Sequence, residues 1–174
     1  IKIKEGIKFS DGSDLNADAV AWNLNKYKAE GVMSASLYSK FDNAEVTGDY
    51  EVVCHFSSWD SLFTYTLARS CPIASKEAYY NNGGDEDVDG NELTDGEDYL
   101  AANPIGTGPF KFESYEKGQA ITLVRNDDYF MGAPYLDKLV ITIIPDANTA
   151  FQAYMNGEVD DLMLNIPSNE IAGL

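Results

Sequence analysis

Apolar residues recur along this chain with two periods, about 3.6 and 2, which divide it into helices and strands. Val20, Leu24 and Tyr27 stand at i, i+4 and i+7, one buried stripe of a helix predicted from its cap Asn16 to about Lys28. Asp18 suits the first turn of that helix, and Gly31 is its stop. A second helix is predicted from Ser58 or Asp60 to about Ala68, with Leu62, Phe63 and Leu67 as its apolar positions. Pro72 forces an extended exit through Ser75, ahead of a short helix over Lys76–Asn82. Strand patterns lie at Ile1–Lys4 and Ile7–Phe9, read as a pair or as one bent strand, and at Tyr50–Phe56. Further strands are predicted at Phe110–Phe112, Ile121–Arg125 and Leu139–Ile144. The last is apolar throughout, as a central strand buried on both faces would be. A helix is predicted from about Asn148 to Asn156, with Asp146 near its start and Gly157 as its stop, and Asp160–Leu164 reads as a last strand. The mixture points to an α/β fold with mixed sheets of the α+β kind.

Two stretches break the pattern. Ser34–Phe41 is irregular and holds Tyr38. Acidic residues crowd Asp85–Asp98 among Gly83, Gly84, Gly90 and Gly96, and this segment reads as loop rather than core.

Composition narrows the function classes. The 174 residues, 44% hydrophobic and 12% aromatic, suffice for a core, and no apolar run is long enough to span a membrane. A net charge of −17 excludes nucleic acid as a partner, since a polyanion would be repelled. The acidity serves either a self-repelling, solvated surface or the steering of cationic ligands. The chain opens inside a strand pattern with no basic and apolar leader, which reads as a segment of a longer protein. Cys54 and Cys71 are too few for a metal site or a disulfide scaffold; they are two buried thiols or one bridge.

Candidate chemistry is sparse. The single histidine, His55, lies mid-strand, and there is no nucleophile elbow or metal-spaced His/Cys set, so no enzyme is expected. Paired carboxylates of the glycosidase type stay open, because carboxylates are everywhere. Asp85-x-Asp87-x-Asp89-Gly90 copies the first half of a calcium loop, but position twelve is Gly96 and Glu97 arrives one residue late. The readings left are a solvated acidic insertion at 83–102 or a weak calcium site on Asp85, Asp87 and Asp89, the latter fitting a calcium-binding surface adhesion or interaction module. Asn103-Pro-Ile-Gly-Thr-Gly-Pro-Phe-Lys-Phe112 is a tightly specified loop, in which Gly106 and Gly108 permit positive φ and Pro104 and Pro109 fix it. It enters a strand and lacks the Gly-Lys-Ser/Thr ending, so it is no phosphate cradle.

Three blocks carry a family resemblance: Glu5-Gly-Ile-Lys-Phe-Ser-Asp-Gly-Ser13 with Leu15–Trp22, Asn103–Phe112 with Arg125-Asn-Asp-Asp-Tyr-Phe130, and Ala150–Asp161 with Gly157-Glu-Val-Asp160. In this order and spacing the chain resembles the family 5 extracellular solute-binding proteins, the oligopeptide- and dipeptide-binding receptors of bacterial ABC importers. The resemblance implies a fragment of a type II periplasmic-binding-protein fold from the N-terminal half, with partial lobes (1–75, and 76–174 with the acidic insertion) and no C-terminal lobe. It implies a receptor that captures oligopeptides or dipeptides outside the cell and hands them to permease subunits. Such a receptor is periplasmic or a surface lipoprotein, meets the membrane only through a lipid anchor absent from this chain, and needs no cofactor. Peptide backbones are held by strand addition in that family. The positions that match its ligand-facing stretches are Tyr38, then Arg69, Ser70, Cys71 and Ile73, then Met163, Leu164 and Asn165. The Gly106–Gly108 loop is implied to connect lobes rather than to touch cargo.

Overall fold

A computed structural model describes residues 1–30, 39–59, 61–85 and 94–162. The chain divides into two compact units, Ile1–Phe112 with Val124–Asp137, and Glu113–Leu123 with Lys138–Leu174.

The first unit is built on helix α1, Ala17–Glu30. Asn16 caps it as predicted, its Oδ1 accepting the Ala19 N–H at 2.9 Å. Val20 and Leu24 are buried on the expected stripe with Ala17 and Ala21, and the two alanines let a sheet approach closely. That sheet pairs β1, Phe41–Gly48, antiparallel with β2, Glu51–Phe56. β1 escapes the sequence pattern because a register shift between Phe41 and Asn43 puts Phe41 and Ala44, three apart, on the buried side. Both outer edges of the hairpin are occupied. Asn25 of α1 donates its Nδ2 to the Ala44 carbonyl at 2.9 Å and accepts the Ala44 N–H at 2.7 Å. Along β2, the Val52 N–H donates to the Ile1 carbonyl at 3.0 Å and the Ile3 N–H to that of Tyr50 at 2.9 Å. Ile1–Lys4 therefore serves β2 and does not pair with Ile7–Phe9, which instead bonds to Ser13–Leu15 across the Asp11-Gly12 turn.

Helix α2, Phe63–Ser70, starts later than predicted. Phe63 enters the core against Phe41 and Phe56, with ring centroids 5.6 and 4.6 Å away. After the non-helical run Cys71–Ser75, the buried Ser75 hydroxyl accepts the Ala78 N–H at 3.0 Å and starts α3, Lys76–Asn81.

The acidic segment is not all loop. Asp95–Ala102 forms helix α4, entered through a capping box between Thr94 and Glu97. Gly84 and Gly96 are contact residues here, not breakers. A Cβ on Gly84 would stand 2.2 Å from ring carbons of the buried Tyr79, and one on Gly96 would stand 2.6 Å from the Tyr79 carbonyl oxygen. The Tyr79 hydroxyl donates to the Asp85 carbonyl at 3.0 Å and accepts from the Thr94 hydroxyl at 3.1 Å. The Lys26 ammonium bonds Glu30 and Glu97 and lies 4.6 Å over the Tyr79 ring, joining α1 to α4. Burial opposes charge on both partners. The bonds win: Lys26 stays raised through Glu30, Glu97 and Tyr79, and Glu97 falls to about 2 through Lys26 and Thr94.

The strands β3, Phe110–Glu116, β4, Ala120–Arg125, and β5, Lys138–Thr142, follow in the sheet order β3-β4-β5. β5 is thus at the edge among the described residues, not central. Its Leu139 and Val140 are 36% and 53% exposed, against the expectation of burial on both faces. In the second unit α5, Ala147–Met155, begins at Asp146, whose carboxylate accepts the Thr149 N–H at 2.8 Å. It ends at Gly157 with φ of +72°, where the sequence places the stop. Asp160–Leu162 form no strand, and the rest of that predicted element lies outside the described residues.

Candidate functional site

Of the residues singled out by sequence, Arg69, Ser70, Cys71 and Ile73 fall together in the first unit, on the end of α2 and the non-helical run behind it. Tyr38, Met163, Leu164 and Asn165 lie outside the described residues, as do Asp87 and Asp89 of the calcium reading. Asp85 contributes its main-chain carbonyl to Tyr79. Among the described residues no three metal-ligating side chains converge.

The run Cys71–Ser75 is fixed in place by side chains of α1 and of the Asp11–Ser13 turn. The Cys71 N–H closes the helix on the Leu67 carbonyl at 3.3 Å, and the Cys71 side chain is buried in the core. The Tyr27 hydroxyl donates to the Pro72 carbonyl. Burial is the largest reason the Tyr27 hydroxyl is pushed up to about 12, so it keeps its proton. Asn23, 3% exposed, accepts the Ala74 N–H at 3.1 Å and donates to the Ala74 carbonyl at 2.9 Å. The Ser75 hydroxyl donates to Asp11 at 2.7 Å and lies 3.0 Å from that of Ser13.

Ile73 differs from its neighbours. Its side chain packs on the core, but neither its N–H nor its C=O is bonded to any described residue. A residue with its side chain packed inward and both main-chain groups without a partner among the described residues is what strand addition by a second backbone requires.

Arg69 is exposed at the last turn of α2. One guanidinium N–H donates to the Tyr65 hydroxyl at 3.2 Å, and the guanidinium lies 5.9 Å from that ring's centroid. Tyr65 was not singled out by sequence, although its i, i+4 relation to Arg69 was a usable signal. Asn23 and Tyr27 were missed as supports because they sit more than forty residues from the segment they hold.

Other sequence readings settle here. Cys54 and Cys71 are not bridged: Cys71 is buried, and burial pushes the Cys54 thiol up, away from reactivity. His55 bonds Glu45 across the hairpin at 2.8 Å on the outer face. Gly106 and Gly108, which the sequence reading allowed positive φ, do not use that freedom. What shapes that loop is the buried Asn126, whose N–H donates to the Pro109 carbonyl and whose Nδ2 donates to that of Gly108, both at 2.9 Å. Two open hollows of about 420 and 500 Å³ flank the Asp11–Asp14 turn, sharing Ser13, Asp14, Glu77 and Asn81. Among the described residues, none of those read as ligand-facing lines either hollow.

The family model for bacterial extracellular solute-binding proteins, family 5 Middle, matches residues 1–174. The oligopeptide-binding protein AppA of Bacillus subtilis is 37% identical over 175 residues, covering 98% of this chain and 30% of AppA. The structure of AppA with a nonapeptide matches with a TM-score of 0.74 at 34% identity, over 99% of this chain and 33% of that one. DppA of Helicobacter pylori, solved with the peptide STSA, gives 0.74 at 26% identity over 99% of this chain and 36% of that one. The nickel-binding protein NikA of Staphylococcus aureus is 27% identical over 172 residues, covering 98% of this chain and 31% of NikA. The chain thus spans about a third of the length of these relatives. A match over every residue, with a relative above one third identity, settles the assignment: this chain belongs to the family 5 bacterial extracellular solute-binding proteins.

Proposed function

We propose that the chain is part of a receptor that captures peptides outside the cell and delivers them to an ABC importer's permease, with no chemistry of its own. The observation that carries this reading is Ile73: a residue between two held neighbours, with an inward side chain and a backbone donor and acceptor that no described residue uses. A peptide has the matching pair at every residue, whereas a metal chelate has no repeating pair to offer. The likeness to AppA, stronger than that to NikA, supports the same choice. Each backbone bond so formed is worth about 1 kcal/mol net, so affinity needs several bonds and a second wall. In this reading Arg69, Ser70 and the Ile73 main chain face the cargo from one side, Cys71 anchors that run in the core behind them, and Tyr38 and Met163–Asn165 contribute further contacts. Positions 1–75 belong to a smaller lobe and 76–174 to the main N-terminal lobe, and a lipid anchor or periplasmic confinement keeps the receptor at the membrane.

Native mass spectrometry of the full-length receptor purified without refolding tests the proposal. Co-purified peptides of defined length are expected, lost on mild denaturation. A receptor that instead carries a nickel chelate or a non-peptide solute, and takes no peptide on incubation, would overturn it.

A further inference from the structure

Resting on the peptide reading, we infer that Tyr27 and Asn23 of α1 are positioning residues for the cargo: between them they aim the Ile73 N–H and C=O outward as one pre-set donor and acceptor pair. The two side chains stand at i and i+4 on α1, so they project from one face of that helix. Tyr27 donates its hydroxyl to the Pro72 carbonyl. Asn23 accepts the Ala74 N–H at 3.1 Å and donates to the Ala74 carbonyl at 2.9 Å, the exchange that two paired strand residues make. Asn25 repeats the device at β1, accepting the Ala44 N–H and donating to the Ala44 carbonyl. An asparagine amide thus stands in for a neighbouring strand at two places along α1.

The peptide unit carries the consequence to Ile73. In a trans peptide the C=O of one residue and the N–H of the next lie in one plane and point in opposite directions. The Pro72 carbonyl points at Tyr27, so the Ile73 N–H points away from α1. The Ala74 N–H points at Asn23, so the Ile73 carbonyl points away from α1 as well. No described residue takes either group, and the Ile73 side chain holds the residue to the core. A cargo backbone therefore meets a donor and an acceptor already oriented, which lowers the entropy lost on pairing. The two supports differ in what else they do. Asn23 is buried and serves the fold as well, whereas Pro72 is exposed, so its carbonyl bonds water when the Tyr27 hydroxyl is removed. Tyr27 is where aiming separates from folding.

The test uses the full-length receptor, wild type and Tyr27→Phe, with a degenerate pool of pentapeptides. The pool is made in all-amide form and in forms with one carbonyl oxygen replaced by sulfur, which weakens a single backbone acceptor with little change of shape. Amide and thioamide forms compete at equal concentration, and bound peptide is eluted and counted by mass spectrometry. The wild type should enrich the amide form about fivefold at each position whose carbonyl accepts a bond from the receptor. Tyr27→Phe keeps its ring on the core and should hold the wild-type unfolding midpoint in urea. Its enrichment should fall toward one at the position that accepts the Ile73 N–H and stay unchanged at the others. A merely structural role for Tyr27 would lower the capture of every form and leave the ratios alone. Ratios unaltered at every position, or lowered equally at all, would overturn the positioning role while leaving the peptide reading intact. Peptide capture with no sensitive position in the wild type would overturn backbone pairing and the positioning role with it, and capture of no form would overturn the peptide reading too. Amide exchange in the wild type decides the matter where Tyr27→Phe folds poorly: the Ile73 N–H should exchange freely in the empty receptor and slow when pool peptide binds. Exchange indifferent to bound peptide would overturn the inference.

Discussion

Gly96→Ala sets two known effects against each other at one atom. Gly96 lies in the first turn of α4, where alanine is favoured over glycine by about 1 kcal/mol from helix propensity alone. The added Cβ, however, would stand 2.6 Å from the Tyr79 carbonyl oxygen and 2.7 Å from the Gly84 N and Cα. All three obstacles are main chain, so none can swing aside as a side chain would. Relief requires α4 to part from the end of α3, which strains the 3.0 Å bond from the Gly84 N–H to Tyr79 and the hydroxyl links of Tyr79 to Asp85 and Thr94. Overpacking of this kind costs about 1–3 kcal/mol, and the contact distances put this case at the upper end, so the steric term wins by about 2 kcal/mol. Amide exchange on the full-length receptor reads this locally, as about thirtyfold faster exchange at Gly84 and along α4, with β1 and β2 unaffected. Gly106→Ala is the control. No atom lies within 4 Å of its built Cβ and its φ is not positive, so the change should be neutral or slightly stabilising. Unaltered exchange in Gly96→Ala, or equal effects of the two substitutions, would refute the packing argument.

Asn23→Leu removes both partners of Ala74 from a buried site, and a loss of about 2–4 kcal/mol is expected, read as a lower unfolding midpoint in urea. Asn23→Asp keeps the acceptor for the Ala74 N–H but not the donor, so it should fall between the two; parity with wild type would show that the segment is held by something else. Glu97 carries a pH signature. Its folded value near 2 lies below the ordinary 4.5, so between these the unfolded chain binds the extra proton. The stability from Glu97 is thus complete above about pH 4.5 and lost as pH falls toward 2, and Glu97→Gln should flatten that part of the stability–pH curve. A variant with the wild-type acid slope would sink the assignment. Thiol counting in denaturant without reductant should find two thiols, since Cys54 and Cys71 are unbridged; finding none would contradict the structure.

Much of the local architecture was legible in the chain because its signals are local. Asn16, Asp146 and Gly157 end their helices by contacts within three or four residues, and the Val20–Leu24–Tyr27 stripe needs only the helical period. The misses have non-local causes. β1 was hidden by a register shift that changes the spacing of buried positions from two to three. α4 was hidden by glycines whose purpose is the close approach of Tyr79, fifteen residues earlier than Thr94. β5 shows the opposite failure. Its apolar run reports what a strand packs on, and the described residues supply one strand neighbour and no cover for Leu139 and Val140.

The candidate site follows the same division. Arg69 to Ile73 could be marked by family resemblance, yet the resemblance could not say which of these residues offers a backbone and which a charge. That distinction comes from accounting for partners. Cys71 is consumed by helix closure and core, Pro72 by Tyr27 and Ala74 by Asn23, which leaves Ile73 with a main chain that no described residue uses. The same accounting among cations sets Arg69 apart from Arg125. A binding surface must hold polar groups that folding has not already satisfied, because a satisfied group gains little from a ligand. Here a main-chain donor and acceptor that no described residue uses, and a guanidinium with no described carboxylate partner, fall within five consecutive residues of a chain whose other arginine is sealed by aspartates. That concentration in one short, rigidly held run is the physical reason to place the cargo there.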